Sequence, residues 1–362
     1  MVDASPDADF MDRALFLAER GRGTTSPNPP VGAVVVSPDG VVVGQGAHQR
    51  AGGPHAEVVA LDTAGPRAQG ASLYCTLEPC AHTGKTGPCV ERIVPAGITR
   101  VVAAMTDPNP RVSGAGFSYL REHGIELRVG VGEDQARRLI APFITWVTRG
   151  RPFVIAKVAV SADGFVGRRG ERVRLTGAAA DRYLHRQRAE IDAIAVGADT
   201  VLADDPFLTT RHVWRGRPLI RVVFDWRIRV TPEARVFSTL HDGPVIMAVG
   251  QAAADERPDA VHRLRLAGAD VVVFERRAVG PVLDFLGTRD VNSLLVEGGP
   301  RLHDAFFGAR LVDRVQRVRT RHVLETGVRA ASGFDASREP AGTRGRMLGE
   351  DLLVEWDVHG VD

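Results

Sequence analysis

The chain has 362 residues, 44% of them apolar and 25% charged, the composition of an ordinary globular protein with room for about two cores. Those figures exclude a small disulfide scaffold and a disordered tail. With 46 basic and 44 acidic residues the formal charge is +2, so no global field calls for nucleic acid or an anionic membrane. One detail stands out: Lys85 and Lys157 are the only lysines, so 44 of the basic residues are arginines.

The acidic start, Met1 to Asp9, lacks the charged and apolar regions of a signal peptide, and no apolar run approaches the roughly 18 residues of a membrane span. A cytoplasmic protein is expected. Along the chain, the first predicted element is a helix over 10–20. It leads to a strand pair over 31–36 and 41–44, joined by the turn sequence Ser37-Pro38-Asp39-Gly40. Strands follow over 71–76, 100–104 and 126–129, with helices from His55, Cys89 and Glu133 onward. A boundary near 148–152 divides the chain into domains 1–149 and 150–362. Beyond it, strands over 153–160, 193–196, 220–224, 245–249, 271–274 and 293–296 alternate with helical stretches, the pattern of α/β architecture.

The sharpest chemical feature is His55-Ala56-Glu57, followed by Glu78-Pro79-Cys80 and then Cys89. One imidazole and two thiolates supply three ligands to a tetrahedral Zn²⁺ and leave the fourth position open for water, the catalytic pattern. Glu57 is the candidate proton shuttle. Residues two apart on a regular helix diverge by about 200°, so His55 and Glu57 can share one centre only at a helix start, which Pro54 supports. Pro79 is expected to begin a helix in the same way, with the Cys80 thiolate at its N-terminus. A lone His-x-Glu is common by chance, but the set in this order matches the zinc-deaminase signature, with eight residues rather than two between the cysteines.

These residues, with Thr25-Ser26-Pro27-Asn28-Pro29-Pro30-Val31-Gly32, Gly46-x-His48, Thr76-Leu77-Glu78-Pro79-Cys80-Ala81-His82 and Asp107-Pro108-Asn109-Pro110, resemble the deaminase domain of the bifunctional riboflavin-biosynthesis (RibD) family. The resemblance implies a cytidine-deaminase-like three-layer domain with one zinc on His55, Cys80 and Cys89 and with Glu57 as catalytic residue. It places Asn28, His48, His82 and Lys85 around the pyrimidine. Cys75 falls where the family carries an apolar strand residue, so it is assigned to the core.

A second set runs from Lys157 through Ser161-x-Asp163-Gly164, Asp192-Ala193-Ile194-Ala195-Val196-Gly197-x-x-Thr200 and Asp204-Asp205-Pro206-x-Leu208-Thr209-x-Arg211 to Glu297-Gly298-Gly299-Pro300. The glycines let backbone N–H groups approach a phosphate at a helix N-terminus. There is no Gly-x-Gly-x-x-Gly, so a standard Rossmann site fails. The order and spacing resemble the family's reductase domain, an α/β fold similar to dihydrofolate reductase. That resemblance implies NADPH on Lys157, Ala159, Thr200, Asp204 and the run Gly299, Pro300, Arg301, Leu302, His303, Asp304, Ala305. It implies substrate contacts from Arg188, Leu208, Arg211 and Glu297.

The second set departs from the family at Phe165, at Trp226 and across Arg172-Val173-Arg174-Leu175-Thr176, where a hydroxyl and an aromatic are usual; Arg172 or Arg174 would then grip the substrate phosphate. The leading expectation is a bifunctional enzyme. It would deaminate a diamino-ribosylamino-pyrimidinone phosphate and then reduce the ribosyl chain to ribityl with NADPH. The alternative is an active deaminase followed by a non-catalytic reductase-like module. The implied partner is a phosphorylated small molecule, with no nucleic acid and no membrane, and the resemblance implies a dimer or larger homo-oligomer.

Overall fold

The computed structural model describes residues 6–82, 87–168, 171, 173–335, 337 and 339–358. The chain forms two compact units, 1–150 and 151–362.

The N-terminal unit contains α1 (Pro6–Ala18), β1 (Gly32–Val36), β2 (Val42–Ala47), α2 (Ala56–Ala64), β3 (Ser72–Cys75), α3 (Val90–Ile93), β4 (Arg100–Ala103), α4 (Ala115–Glu122), β5 (Glu126–Val129), α5 (Glu133–Leu139) and α6 (Ala141–Arg149). The sheet order is β2-β1-β3-β4-β5, antiparallel through β3 and parallel beyond. Glycines on the first two strands set the distance of the helices. A Cβ at Gly32 would stand 2.0 Å from Ala14 O of α1, and one at Gly46 would stand 2.2 Å from Ala56 O of α2. Gly46 pairs with Ala33, the neighbour of Gly32, so strand alternation puts the two glycines on opposite faces. Helices therefore cover both faces of the sheet, a three-layer unit. Fully buried Val34, Val35, Leu73, Val101 and Val102 fill its interior, with Cys75 among them.

The C-terminal unit contains β6 (Phe153–Val160), β7 (Phe165–Gly167), α7 (Ala178–Glu190), β8 (Ala193–Gly197), α8 (Ala198–Asp204), β9 (Ile220–Phe224), β10 (Val245–Gly250), α9 (Gln251–Glu256), α10 (Pro258–Leu266) and β11 (Ala269–Phe274). It continues with α11 (Val279–Gly287), β12 (Ser293–Gly298), α12 (Pro300–Gly308), β13 (Arg314–Arg319), β14 (Val328–Arg329), β15 (Arg344–Leu348) and β16 (Asp351–Asp357). Nine strands form one sheet in the order β11-β10-β9-β8-β12-β6-β13-β16-β15. It is parallel from β11 to β13 and antiparallel across β16 and β15. Apolar runs such as 245–249 are buried on both faces, as a covered parallel sheet requires. Among the described residues no helix is long and apolar enough to cross a membrane.

Buried Arg151, at the start of this unit, makes a bidentate pair with Asp313 at 2.7 and 2.8 Å, and Asp313 also accepts the Val154 N–H at 2.8 Å. The pair fixes the entry to β6 against the start of β13. Losing one partner of such a buried pair costs about 3–5 kcal/mol.

Candidate active sites

In the N-terminal unit His55 is the N-cap of α2 with extended backbone, φ −73° and ψ 159°, and Glu57 occupies the first helical turn. The loose geometry of a helix start thus lets both side chains serve one centre. One ligand atom from each of His55, Cys80 and Cys89 falls within 4.8 Å of the others. His55 Nδ1 lies 3.2 Å from Cys89 Sγ and 3.5 Å from Cys80 Sγ, and the Cys89 backbone N–H donates to Cys80 Sγ at 3.3 Å. Two soft sulfurs and one imidazole are the donor set that zinc favours, so the residues present fit that ion.

The cysteines correct one expectation. Cys80 does not begin a helix: it lies in a loop, and Cys89 is the residue that caps α3. The residues after Cys80 are Ala-His-Thr-Gly, too short a run of helix formers before glycine, and the Pro79 carbonyl is packed against α4 instead. A hydrogen bond from Cys89 and another from His55 bring the Cys80 thiol down to about 4, while the same contact and burial push the Cys89 thiol up. Glu57, 4% exposed, has its carboxyl pushed up to about 7 by burial and by the charge on Cys80.

Around this centre, buried His48 packs edge-on to the His55 ring, with centroids 5.3 Å apart. His48 Nδ1–H donates to Pro54 O at 3.0 Å, which fixes the tautomer and leaves Nε2 to accept from Asn28 Nδ2 at 3.2 Å. Burial depresses the His48 pKa, so the ring stays neutral. His82 is exposed beside the cysteine loop. Lys85 lies outside the described residues.

Glu78, quoted above only as part of a motif, is the residue that sequence reasoning missed. Its buried carboxylate accepts backbone N–H groups of Asp107 and Gly114, both at 3.0 Å, of Gly116 at 2.9 Å and of Phe117 at 3.3 Å. No local spacing could reveal partners 29 to 39 residues away.

In the C-terminal unit, Arg188 on α7 meets Glu297 on β12 with two bonds of 2.8 and 2.6 Å, and its third nitrogen donates to Thr209 O at 3.1 Å. Lys157 Nζ on β6 stands 3.9 Å from the same carboxylate, with both side chains buried. A cavity of about 930 Å³ opens beside them. Lys157, Ala159, Arg188 and Arg211 line it together with Arg182 and Arg186. Arg211 leans on His185 at 3.2 Å, whose pKa burial and the flanking arginines Arg188 and Arg211 take down to about 4. Arg174 also lines this cavity but pairs with Asp181 at 2.6 Å; Arg172 lies outside the described residues. Leu208 is buried with φ 55°, a left-handed turn that presents Thr209 O to Arg188.

A second cleft, about 750 Å³, lies at the carboxyl ends of β8 and β9 and the start of α12. Gly299, Arg301, Leu302 and Ala305 line it. Gly299 has φ +78°, and a Cβ at Gly298 would stand 2.8 Å from Thr200 Oγ1, so a second strand end and a second helix start converge there. Lys157 and Ala159 thus stand in the first cavity, whereas the Gly299 segment faces the second. His303 turns into the core instead: its Nε2–H donates to Val296 O at 3.1 Å and its ring meets Phe334 edge-on. Asp204 and Asp304 are exposed, and Pro300 is half-buried at the first turn of α12. Phe165 is buried under the Arg329 guanidinium, and Trp226 packs edge-on to Phe224 and Phe274.

The family model for the cytidine and deoxycytidylate deaminase zinc-binding region matches residues 4–105, and that for the RibD C-terminal domain matches residues 152–319. The riboflavin biosynthesis protein RibD of Aquifex aeolicus is 37% identical over 353 residues, covering 96% of this chain and 97% of its own. That of Escherichia coli is 40% identical over 328 residues, with 85% and 86% covered. Among solved structures, Acinetobacter baumannii RibD superposes with TM-score 0.83 at 34% identity, over 97% of this chain and 98% of its own. The Thermotoga maritima diaminohydroxyphosphoribosylaminopyrimidine deaminase/5-amino-6-(5-phosphoribosylamino)uracil reductase does so at 0.84 and 35% identity, over the same shares.

Proposed function

The chain belongs to the RibD family, the bifunctional deaminases and reductases of riboflavin biosynthesis, and from that membership we propose which of its atoms carry each half of the reaction. The observation that carries the assignment is the occurrence of two separate constellations on one chain, His55/Glu57/Cys80/Cys89 in the first unit and Lys157/Arg188/Glu297 in the second. The first step is hydrolytic deamination of 2,5-diamino-6-(5-phosphoribosylamino)pyrimidin-4(3H)-one. Water replaces the 2-amino group as ammonia leaves. The second step uses NADPH to reduce the ribosyl chain of the product, 5-amino-6-(5-phosphoribosylamino)uracil, to the ribityl chain.

His55, Cys80 and Cys89 would hold the zinc, which when bound would supply Lewis-acid activation of water near neutral pH. Glu57 takes the proton from the attacking water and delivers it to the leaving nitrogen; its burial and its place beside His55 keep that proton from bulk solvent. Neutral His48 and Asn28, locked to each other and to Pro54 O, present polar edges to the pyrimidine, with His82 at the rim; Lys85 is assigned to the same pocket by its motif position alone.

In the second unit NADPH supplies the hydride, and the residues supply position. Arg188, Leu208, Arg211 and Glu297 hold the sugar chain and its phosphate at the first cavity, where Lys157 and Ala159 contact the cofactor. Thr200, Asp204 and the turn at Gly299 to Leu302 hold the cofactor. Four arginines line the cofactor cleft, and Asp199 pairs with two of them, Arg229 at 2.8 Å and Arg301 at 3.4 Å. Arg227 and Arg277 have no ion pair among the described residues, which suits them to the 2′-phosphate that distinguishes NADPH from NADH. Arg277→Ala should then raise the KM for NADPH about tenfold and leave that for NADH unchanged. Equal rises for both cofactors would remove Arg277 from that role.

The same assignment makes the protein a cytoplasmic homo-oligomer acting on a free small molecule rather than on nucleic acid. The near-cancelled charge and the 6% aromatic content support the last point. Ammonia release from the diamino substrate tests the deaminase half. Glu57→Gln should retain one zinc and lose at least about 100-fold in rate; a variant as fast as wild type would exclude Glu57.

A further inference from the structure

Glu78 has no part in the proton transfer described above, yet its buried carboxylate is fully occupied. Its four acceptor positions face four backbone N–H groups, two at Asp107 and Gly114 and two at Gly116 and Phe117. The last two donors belong to the first turn of α4, where N–H groups have no partner within the helix. A negative charge there also meets the positive end of the helix dipole. Close packing supports the contact: a Cβ at Gly116 would stand 2.0 Å from Pro79 O, and Gly114 adopts φ +82° to bring the chain round. On one side of Glu78 lies Cys80, two residues on. On the other lies the turn in which Asp107 Oδ1 accepts the Asn109 N–H at 2.8 Å and Asn109 Oδ1 accepts the Arg111 N–H at 3.1 Å.

We propose that Glu78 is a positioning residue of the deaminase: its carboxylate ties segment 107–117 to the strap that carries Cys80, and so fixes one wall of the pyrimidine pocket against the metal ligands. The inference rests on the deaminase assignment. An amide at this position offers one acceptor oxygen and turns its NH₂ toward two N–H donors, so one side of the brace must open. Ordering of the pocket wall is then needed at each binding event, which weakens substrate binding more than the chemical step.

The test is Glu78→Gln in the full-length, zinc-loaded enzyme. The deaminase KM should rise about tenfold or more with kcat within about threefold, while zinc content and the NADPH-dependent reduction stay at wild-type levels. Glu78→Asp, which restores the charge on a shorter arm, should recover part of the loss. An unchanged KM would overturn the proposal, and so would loss of zinc in step with activity, which would make Glu78 a support of the metal site alone. If the Gln variant does not fold, Gly116→Ala opens the same brace from the helix side and should show the same KM rise; a wild-type KM there contradicts the proposal. Absence of ammonia release from the wild-type enzyme would instead contradict the deaminase assignment, so the two failures are distinct.

Discussion

Glu297 lies buried between Arg188 and Lys157. Burial pushes its carboxyl up, but the two cations and the hydrogen bonds from Arg188 outweigh it and hold the group at about 2. Lys157 does not show the mirror image. Burial pulls its ammonium down, because it stands 3.9 Å away and Arg188 repels it, so the strong pair is Arg188–Glu297. With a folded value near 2 against an ordinary 4.5, the ionised carboxylate stabilises the fold in full above about pH 4.5 and loses that contribution as pH falls toward 2. The contribution is on the order of 3 kcal/mol. Hydrogen exchange at β12 and α7 should therefore accelerate between pH 4.5 and pH 2 in the wild type, and Glu297→Gln should flatten that dependence. An equally steep profile in the variant would show that another group carries it. At this scale Lys157, Arg188 and Glu297, singled out from separate motifs, stand together in the fold. Their pairing, the inward turn of His303 and the brace at Glu78 depend on contacts across long separations, which spacing does not encode.

Among the elements, the strands with continuous apolar runs and the helix at His55 were legible because burial on two faces and a proline-led start leave clear patterns. β13 was not. Its sequence Arg-Val-Gln-Arg-Val-Arg reads as surface, yet Gln316 and Arg317 are buried on opposite faces. Tertiary partners make this possible: Gln187 and Glu355 bond Gln316, each at 2.6 Å, and Phe334 O accepts from Arg317 at 2.8 Å. The helix wrongly expected at Cys80 failed for a related reason, as packing of Pro79 O against Gly116 overrode a local signal. Close helix–sheet approach also yields a prediction. Gly46→Ala places a methyl group 2.2 Å from Ala56 O, so α2 must move, and with it His55 and Glu57. Zinc affinity and ammonia release should both fall, with reduction unaffected. Zinc titration of the purified variant checks this, and wild-type affinity would show that α2 is not set by that contact.

On the scale of the whole molecule, the arginine excess first read from composition leaves two lysines, one in each motif set. Lys157 is now placed beside Glu297, where a compact ammonium fits and a broad guanidinium would crowd Arg188. The division into two units explains why each set of motifs could be read alone, since each contains its own sheet and its own cluster of functional groups. The central claim is that one chain carries two chemically independent sites. It is tested most directly by measuring ammonia release from the diamino substrate and NADPH oxidation with preformed deaminated product, in wild type, Glu57→Gln and Lys157→Met. A crossed pattern is expected, in which each variant loses at least about 100-fold in its own half-reaction and keeps the other. A variant that loses both activities, or a wild-type enzyme that oxidises no NADPH with the deaminated product, would contradict it.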